Sequence, residues 1–377
     1  MEMLKTNLVK IAICIAGLVV GFNFSGGTAW GQINIGVSGP FSGGSAILGE
    51  YLNQGYAIAL EEVPKIWGKT VKLIKEDDAG DPGKAIAVIT KLLTKDNVPV
   101  LLGPHHSGCG LAVMPTVDKY NIAWFSGTLS PKLTEKGSKS YFRARSSDAN
   151  YTRAIAMFAV NTLKVAKVGV MNDSSEYGVS GADAFIVNLE KLGQKPVIRE
   201  VYHEGDRDFT AQLSKIKVAG IDTLYLHGLE VSFGLIVKQA RSLGITIPMI
   251  GTSAFGTPKY VEVAEGAAEN TYFTNTFLAS EPTPKVDSFV KRWRTKYKGD
   301  PEAHCAAGYD EYKMAAQAME LAGANASREK IRDAARKMTY EGLQGTYKFD
   351  EKGEGCKSMA IGMVKDGKLV FIQRVNF

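Results

Sequence analysis

The sequence predicts an α/β chain with two parallel sheets, each covered by helices on both faces. Three observations predict it. Short apolar, β-rich runs alternate with stretches of helical spacing almost throughout. The alternation restarts after Asp148, so two βα series follow one another. No Pro/Ser-rich linker separates the halves, so short hinge strands rather than a flexible tether are expected between them.

The elements follow in order. Ile33–Val37 is a strand, and Leu52, Tyr56, Ala59, Leu60 and Val63 then recur at helical spacing. Val71–Lys75 is a strand. Asp81-Pro82 supplies the N-cap and first position of a helix running to about Asp96. Val98–Leu102 and Ile122–Phe125 are strands with a helix between them. After Asp148 come a helix to Leu163, strand Val168–Met171, a helix from Gly178 to Leu192 and strand Val197–Tyr202. Helix Phe209–Ala219, strand Thr223–His227, helix Val231–Leu243 and strand Met249–Gly251 complete the second series. Helical patterns over Lys285–Lys298 and Gly308–Ala322 precede strands at Tyr347–Phe349, Met359–Val364 and Leu369–Val375. The last two flank Asp366-Gly367, a hairpin turn signal.

The 377 residues allow two domains. The net charge of +6 is spread among acids with no basic block, which argues against nucleic acid as a partner. Residues 1–31 read as a signal peptide. Lys5 and Lys10 precede an apolar core, Ile11–Val20, too short to span a bilayer comfortably, and Ala29-Trp30-Gly31 is a small-x-small cleavage site. Cys14 lacks the preceding small residue of a lipoprotein signal. The mature chain is expected to begin near Gln32, exported and soluble. It keeps Cys109, Cys305 and Cys356, which allow at most one disulfide; small buried thiols are the simpler reading.

Leu101–Gly110 is the most informative stretch. An apolar strand ends at Gly103-Pro104, a turn carrying Ser107 follows, and a helical pattern starts near Leu111. Such a turn suits a small anion, because free N–H groups and the positive helix end face it. Catalytic motifs do not accompany it. Gly68-Lys69-Thr70 ends like a phosphate-binding loop, but Val63 stands where its first glycine belongs. Gly251-Thr252-Ser253-Ala254-Phe255 imitates a nucleophile elbow but ends in Phe. His105, His106 and Cys109 make a poor metal set, since adjacent histidines rarely face one ion. One His is expected to pack or hydrogen-bond while the other lines a cleft. No metal or cofactor is expected.

Further motifs, in order, are Ile35-Gly36-Val37-Ser38-Gly39-Pro40, Glu76-Asp77-Asp78-Ala79-Gly80-Asp81-Pro82, Leu102-Gly103 with Ser107, and Ser130-Pro131-Lys132-Leu133. Asp173 with Tyr177-Gly178, Asp208-Phe209-Thr210, Gln239-Ala240-Arg241 with Gly244, and Phe349-Asp350-Glu351-Lys352-Gly353 follow. In this order and spacing the chain resembles the periplasmic substrate-binding proteins of the branched-chain amino-acid class, receptors of ABC importers. The resemblance covers essentially the whole mature chain. It implies two Rossmann-like lobes joined by three hinge crossovers, with residues 32–147 and 277–345 in lobe one and 148–276 and 346–377 in lobe two. It also implies a periplasmic location, a small-molecule ligand, a membrane permease as partner, a monomeric receptor and no enzymatic turnover.

The resemblance places Ser107 on the ligand carboxylate, the alternative being a helix N-cap. Gly127 and Thr128 match the second anchoring turn, with Leu129 where amino-acid binders often carry threonine. Tyr177 matches the lobe-two aromatic that closes over the ligand, the alternative being packing on its own helix. Three positions depart: Ser253 stands where a carboxylate for the ligand ammonium is expected, Leu229 replaces an aromatic wall residue, and Leu48 replaces a tyrosine. Glu230, one residue past Leu229, is either the missing ammonium partner or a solvated helix-start acid. The family's lobe-one disulfide falls at Gly80 and His106, both non-cysteine here. The implied mechanism is docking on lobe one through Ser107 and Thr128, then closure of lobe two. A same-fold sensor for a membrane signalling partner, binding an aromatic acid or amide, is the rival. An exported hydrolase using Ser107 with His105 or His106 is a third reading.

Overall fold

The computed structural model describes residues 31–377, so the signal-peptide reading, with Cys14, lies outside the described residues. The first sheet is built from β1 (Gln32–Gly39), β2 (Lys65–Ile66), β3 (Lys69–Asp77), β4 (Val100–Leu102), β5 (Ala123–Ser126) and β6 (Tyr141–Arg143), in the order β2-β3-β1-β4-β5-β6. All its neighbours run parallel except the short β2–β3 pair. Helices α1 (Ala46–Glu62), α2 (Pro82–Thr94), α3 (Ser107–Lys119) and α4 (Lys132–Glu135) lie in the connections. Val100, Leu101 and Leu102 are all fully buried. A parallel strand covered on both faces reads as an unbroken apolar run for this reason.

The second series alternates α5 (Asp148–Phe158), β7 (Val168–Asp173), α6 (Glu176–Lys191), β8 (Ile198–Tyr202), α7 (Thr210–Val218), β9 (Thr223–His227) and α8 (Glu230–Ser242). It ends with β10 (Met249–Gly251), α9 (Pro258–Ala264) and β11 (Thr271–Asn275). Helices α10 (Pro284–Arg294), α11 (Ala303–Ala322) and α12 (Arg328–Lys337) return to the first lobe, where Met314, Met319 and Ile331 share a core with Val37 and Val100. A two-stranded ribbon, β12 (Thr339–Glu341) and β13 (Thr346–Lys348), follows. The chain then enters the second sheet through β14 (Ser358–Lys365) and β15 (Lys368–Asn376), giving the order β15-β14-β11-β10-β9-β7-β8. β14 and β15 are antiparallel additions, turning at Asp366 and Gly367, both at positive φ.

Three crossings therefore join the lobes: before α5, after β11 and before β14. The last lies later than the expected boundary at 345/346. Tyr347, Phe349 and Cys356 are buried in the first-lobe core, with Phe349 edge-on to Phe142 at 5.2 Å. A strand of three residues carries too little pattern to reveal which lobe it joins. Cys109, Cys305 and Cys356 are all free and buried. Among the described residues no helix is long and apolar enough to cross a membrane.

The junction of α1 and α11 is close enough to exclude side chains. A Cβ on Gly55 would lie 2.0 Å from the Cys305 carbonyl oxygen, and one on Gly308 would lie 2.4 Å from that of Leu52. Backbone cannot swing aside as a side-chain tip can. Gly55→Ala is expected to destabilise the protein by about 2 kcal/mol through overpacking, read as a lower midpoint in urea denaturation. An unchanged midpoint would show that the two helices separate freely.

Candidate functional site

The two lobes enclose a cavity of about 50 Å³. At roughly 10–15 Å³ per water position, that is room for about four waters, the scale of a small organic solute. The first lobe contributes Leu48, His105, His106, Ser107, Gly127, Leu129, Arg145 and His304 to its wall. The second contributes Tyr177, Gly228, Leu229, Glu230, Ser253 and Ala254. Of the ten residues singled out from sequence, nine line this cavity.

Ser107 reaches it because the chain turns sharply after β4. Gly103 sits at φ +69°, and a Cβ there would lie 1.9 Å from the Ser38 carbonyl oxygen. The N-cap position of α3 is His106, which makes no side-chain capping bond, and Ser107 is the first helical residue. The first-turn N–H groups have no carbonyl four residues back. The Ser107 Oγ accepts the Ser130 N–H at 3.2 Å. Its own O–H is left to donate into the cavity, alongside the positive end of the helix.

Thr128 is the exception among the ten, and its predicted role as a hydroxyl anchor is corrected. Its Oγ1 is 2.7 Å from the Tyr141 hydroxyl and 3.1 Å from Ser126 Oγ, and its N–H donates to Ser126 Oγ at 3.3 Å. Its carbonyl accepts from Arg143 and Tyr141. Every polar atom of Thr128 is thus turned into the lobe, while its neighbours Gly127 and Leu129 meet the cavity.

Both histidines line the cavity and both hydrogen-bond, where one of each had been expected. His106 Nε2 is 3.1 Å from Ser45 Oγ, and burial holds its imidazole below the ordinary histidine range. Its ring fills the space beside Gly80, where a Cβ would lie 3.2 Å from Cε1. His105 Nε2 is 3.2 Å from Glu311 Oε2, which also accepts the Tyr56 hydroxyl at 2.6 Å. Neither imidazole hydrogen-bonds to Ser107 among the described residues, so the nucleophile–base pair of the hydrolase reading is not assembled. No group of three potential metal ligands occurs there either.

Glu230, first residue of α8, is buried in the cavity wall rather than solvated. Burial, with Glu302 and Glu204 adding repulsion, pushes its carboxyl up to about 7. Leu229 and Ser253 flank it, the latter opening a short 3-10 turn, Ser253–Gly256. Tyr177 packs on His227 at 4.5 Å between ring centroids, and its hydroxyl is 3.2 Å from Thr252 Oγ1. Behind it, burial lowers His227 to about 3 and raises Asp148 to about 7. A salt bridge between Lys132 and Glu176, at 3.0 Å, ties the two lobes together.

Sequence reasoning did not pick out Arg145 and His304. Arg145 Nη1 is 2.9 Å from His304 Nε2, and His304 Nδ1 is 2.9 Å from Glu302 Oε2. A guanidinium only donates, so His304 Nε2 accepts and Nδ1–H points to the carboxylate. The local cue is the Arg-x-Arg spacing: Arg143 closes β6 and Arg145 lies two residues on, in a bend. It went unread because β6 itself, Tyr-Phe-Arg, did not stand out as a strand.

Comparison with known proteins agrees with this architecture. Residues 32–368 match the family model described as periplasmic binding protein. The Leu/Ile/Val-binding protein homolog 1 of Brucella suis is 29% identical over 360 residues, covering 93% of this chain and 95% of the relative. The crystal structure of a leucine-binding protein from Thermotoga maritima superposes with a TM-score of 0.86 at 30% identity, over 91% of this chain and 99% of that one. A branched-chain amino acid transporter substrate-binding protein from Streptococcus pneumoniae, in complex with isoleucine, gives 0.83 at 27% identity over 91% and 99%. With two lobes, three crossings and a cavity between them, the chain belongs to the periplasmic binding protein family.

Proposed function

We propose that the protein is the exported solute receptor of an ABC importer, holding an amino acid or related small carboxylate between its lobes and passing it to the membrane permease. One observation carries the reading. The Ser107 hydroxyl and the open first turn of α3 face a cavity whose other wall holds the buried carboxyl of Glu230. One wall suits a carboxylate and the other an ammonium. The amino-acid binders among its relatives support the same class. The ligand docks on the first lobe at Ser107 and Gly127; closure then brings Tyr177, Leu229, Glu230 and Ser253 against it and excludes water. Binding proceeds without turnover.

The test is a thermal-shift screen of the mature chain against amino acids and simple organic acids, with ester and amide panels assayed for product in parallel. A true ligand at a hundred times its Kd stabilises by about 2.7 kcal/mol, a rise in Tm of roughly 3–5 °C for a chain of this length. Saturable stabilisation with no product is expected. Product release, or no shift with any small carboxylate, would reject the proposal.

A further inference from the structure

We infer that the ligand carries a second oxygen acceptor, a carboxamide or carboxylate at the end away from its anchored carboxyl, and that Arg145 recognises it. The inference rests on the solute-receptor reading and deepens it by naming the ligand's tail. Two buried arginines, two residues apart, make the contrast. Arg143 pairs with Glu354 at 2.7 Å and also donates to the carbonyls of Thr128 and Ser130. It is a structural arginine with its charge and donors met. Arg145 is equally buried and lines the cavity. Its only hydrogen-bond partners among the described residues are His304 and the Tyr151 hydroxyl, neither an anion, and its Nε has none. Glu302 answers its charge through His304, but the Nε donor is left over, and a buried donor without an acceptor is costly until one arrives.

His105 supplies the complementary atom. Its Nε2 faces the Glu311 carboxylate, which only accepts, so the proton sits there and Nδ1 is a bare acceptor. That Nδ1 is buried without a partner. Both groups flank Gly127: a Cβ on that residue would lie 2.8 Å from His105 Nδ1 and 3.1 Å from Arg145 Cδ. The His105 ring and the Arg145 stem pack against the glycine so closely that a side chain there would displace them. A residue with a spare donor and one with a spare acceptor thus pack on the same glycine of the cavity wall. A terminal carboxamide serves both, its C=O accepting from Arg145 and its NH2 donating to His105; a carboxylate serves Arg145. An aliphatic tail serves neither and would seal both from any partner.

The experiment is calorimetric titration of the mature chain with L-glutamine, L-asparagine, L-glutamate and L-aspartate, against L-leucine and L-methionine. At least one of the first four is expected to bind tenfold or more tighter than either aliphatic ligand. Arg145→Met should reduce that preference to threefold or less. Because Arg145→Met removes a buried charge and its fold is at risk, His105→Leu is run beside it and should lower the glutamine-to-methionine ratio in the same direction. Leucine or methionine binding as tightly as all four polar ligands would overturn the inference, as would a preference unmoved in the folded variants. If the aliphatic ligands win and Ser107→Ala still weakens them, the receptor reading stands and only the tail assignment falls. If none of the six nor any simple acid binds, both fall together.

Discussion

Replacing Ser107 with alanine is expected to raise the Kd of the best small-acid ligand about 30-fold. A hydrogen bond to a charged group contributes about 1.5–3 kcal/mol, and 1.4 kcal/mol is tenfold in affinity. The first-turn N–H groups of α3 remain, so the loss falls inside that range rather than abolishing binding. The substitution also strips the Ser130 N–H of its acceptor, so a small drop in unliganded stability accompanies it. The decisive readout is therefore Kd under native conditions, not Tm. An unchanged Kd would move the carboxylate anchor elsewhere and remove the main support for the proposed docking order.

What could be read from the sequence divides along physical lines. Val98–Leu102, Val168–Met171 and Thr223–His227 were legible as strands because burial on both faces leaves an apolar signature. β11, Thr-Tyr-Phe-Thr-Asn, was not. Its polar residues are mostly buried, and near the hinge threonine hydroxyls bond to distant parts of the chain. Thr274 Oγ1 donates to the Tyr151 carbonyl at 3.2 Å, and Thr276, just beyond it, to Gln344 at 2.5 Å. Such bonds have no local periodicity. The same division runs through the site. Ser107 announces itself by a strand–glycine–serine–helix order that lies within ten residues. Thr128 sits in an equally suggestive turn, but Tyr141 captures its hydroxyl, and no feature near Thr128 reports that. Arg145 and His304 are 159 positions apart and meet only because the chain recrosses the hinge. Glu230 was legible as a position but not as an environment: only the fold shows that it is buried in the cavity wall.

That burial has a measurable consequence. In the unliganded protein the Glu230 carboxyl titrates near 7, raised chiefly by desolvation. An ammonium beside it favours the ionised form, so binding an amino acid below pH 7 must expel a proton. Affinity is then highest above about pH 7 and falls as pH drops, by up to roughly tenfold per unit. Glu230→Gln should flatten this profile and cost about 30-fold in Kd at pH 8 while changing little at pH 5. A ligand without an amino group should show no such profile in either protein. The unliganded protein should respond in the opposite sense. A carboxyl raised in the folded state destabilises it above the folded value, and the penalty fades as pH falls toward the ordinary range near 4.5. Glu230→Gln should therefore raise the unliganded Tm at pH 8 and leave it unmoved at pH 4.5. Asp148, also raised to about 7, contributes equally to both proteins and cancels in the difference. Tighter binding and higher stability thus pull against each other at one side chain. A variant that gains Tm at pH 8 without losing amino-acid affinity would show that Glu230 is buried for some reason other than the ligand.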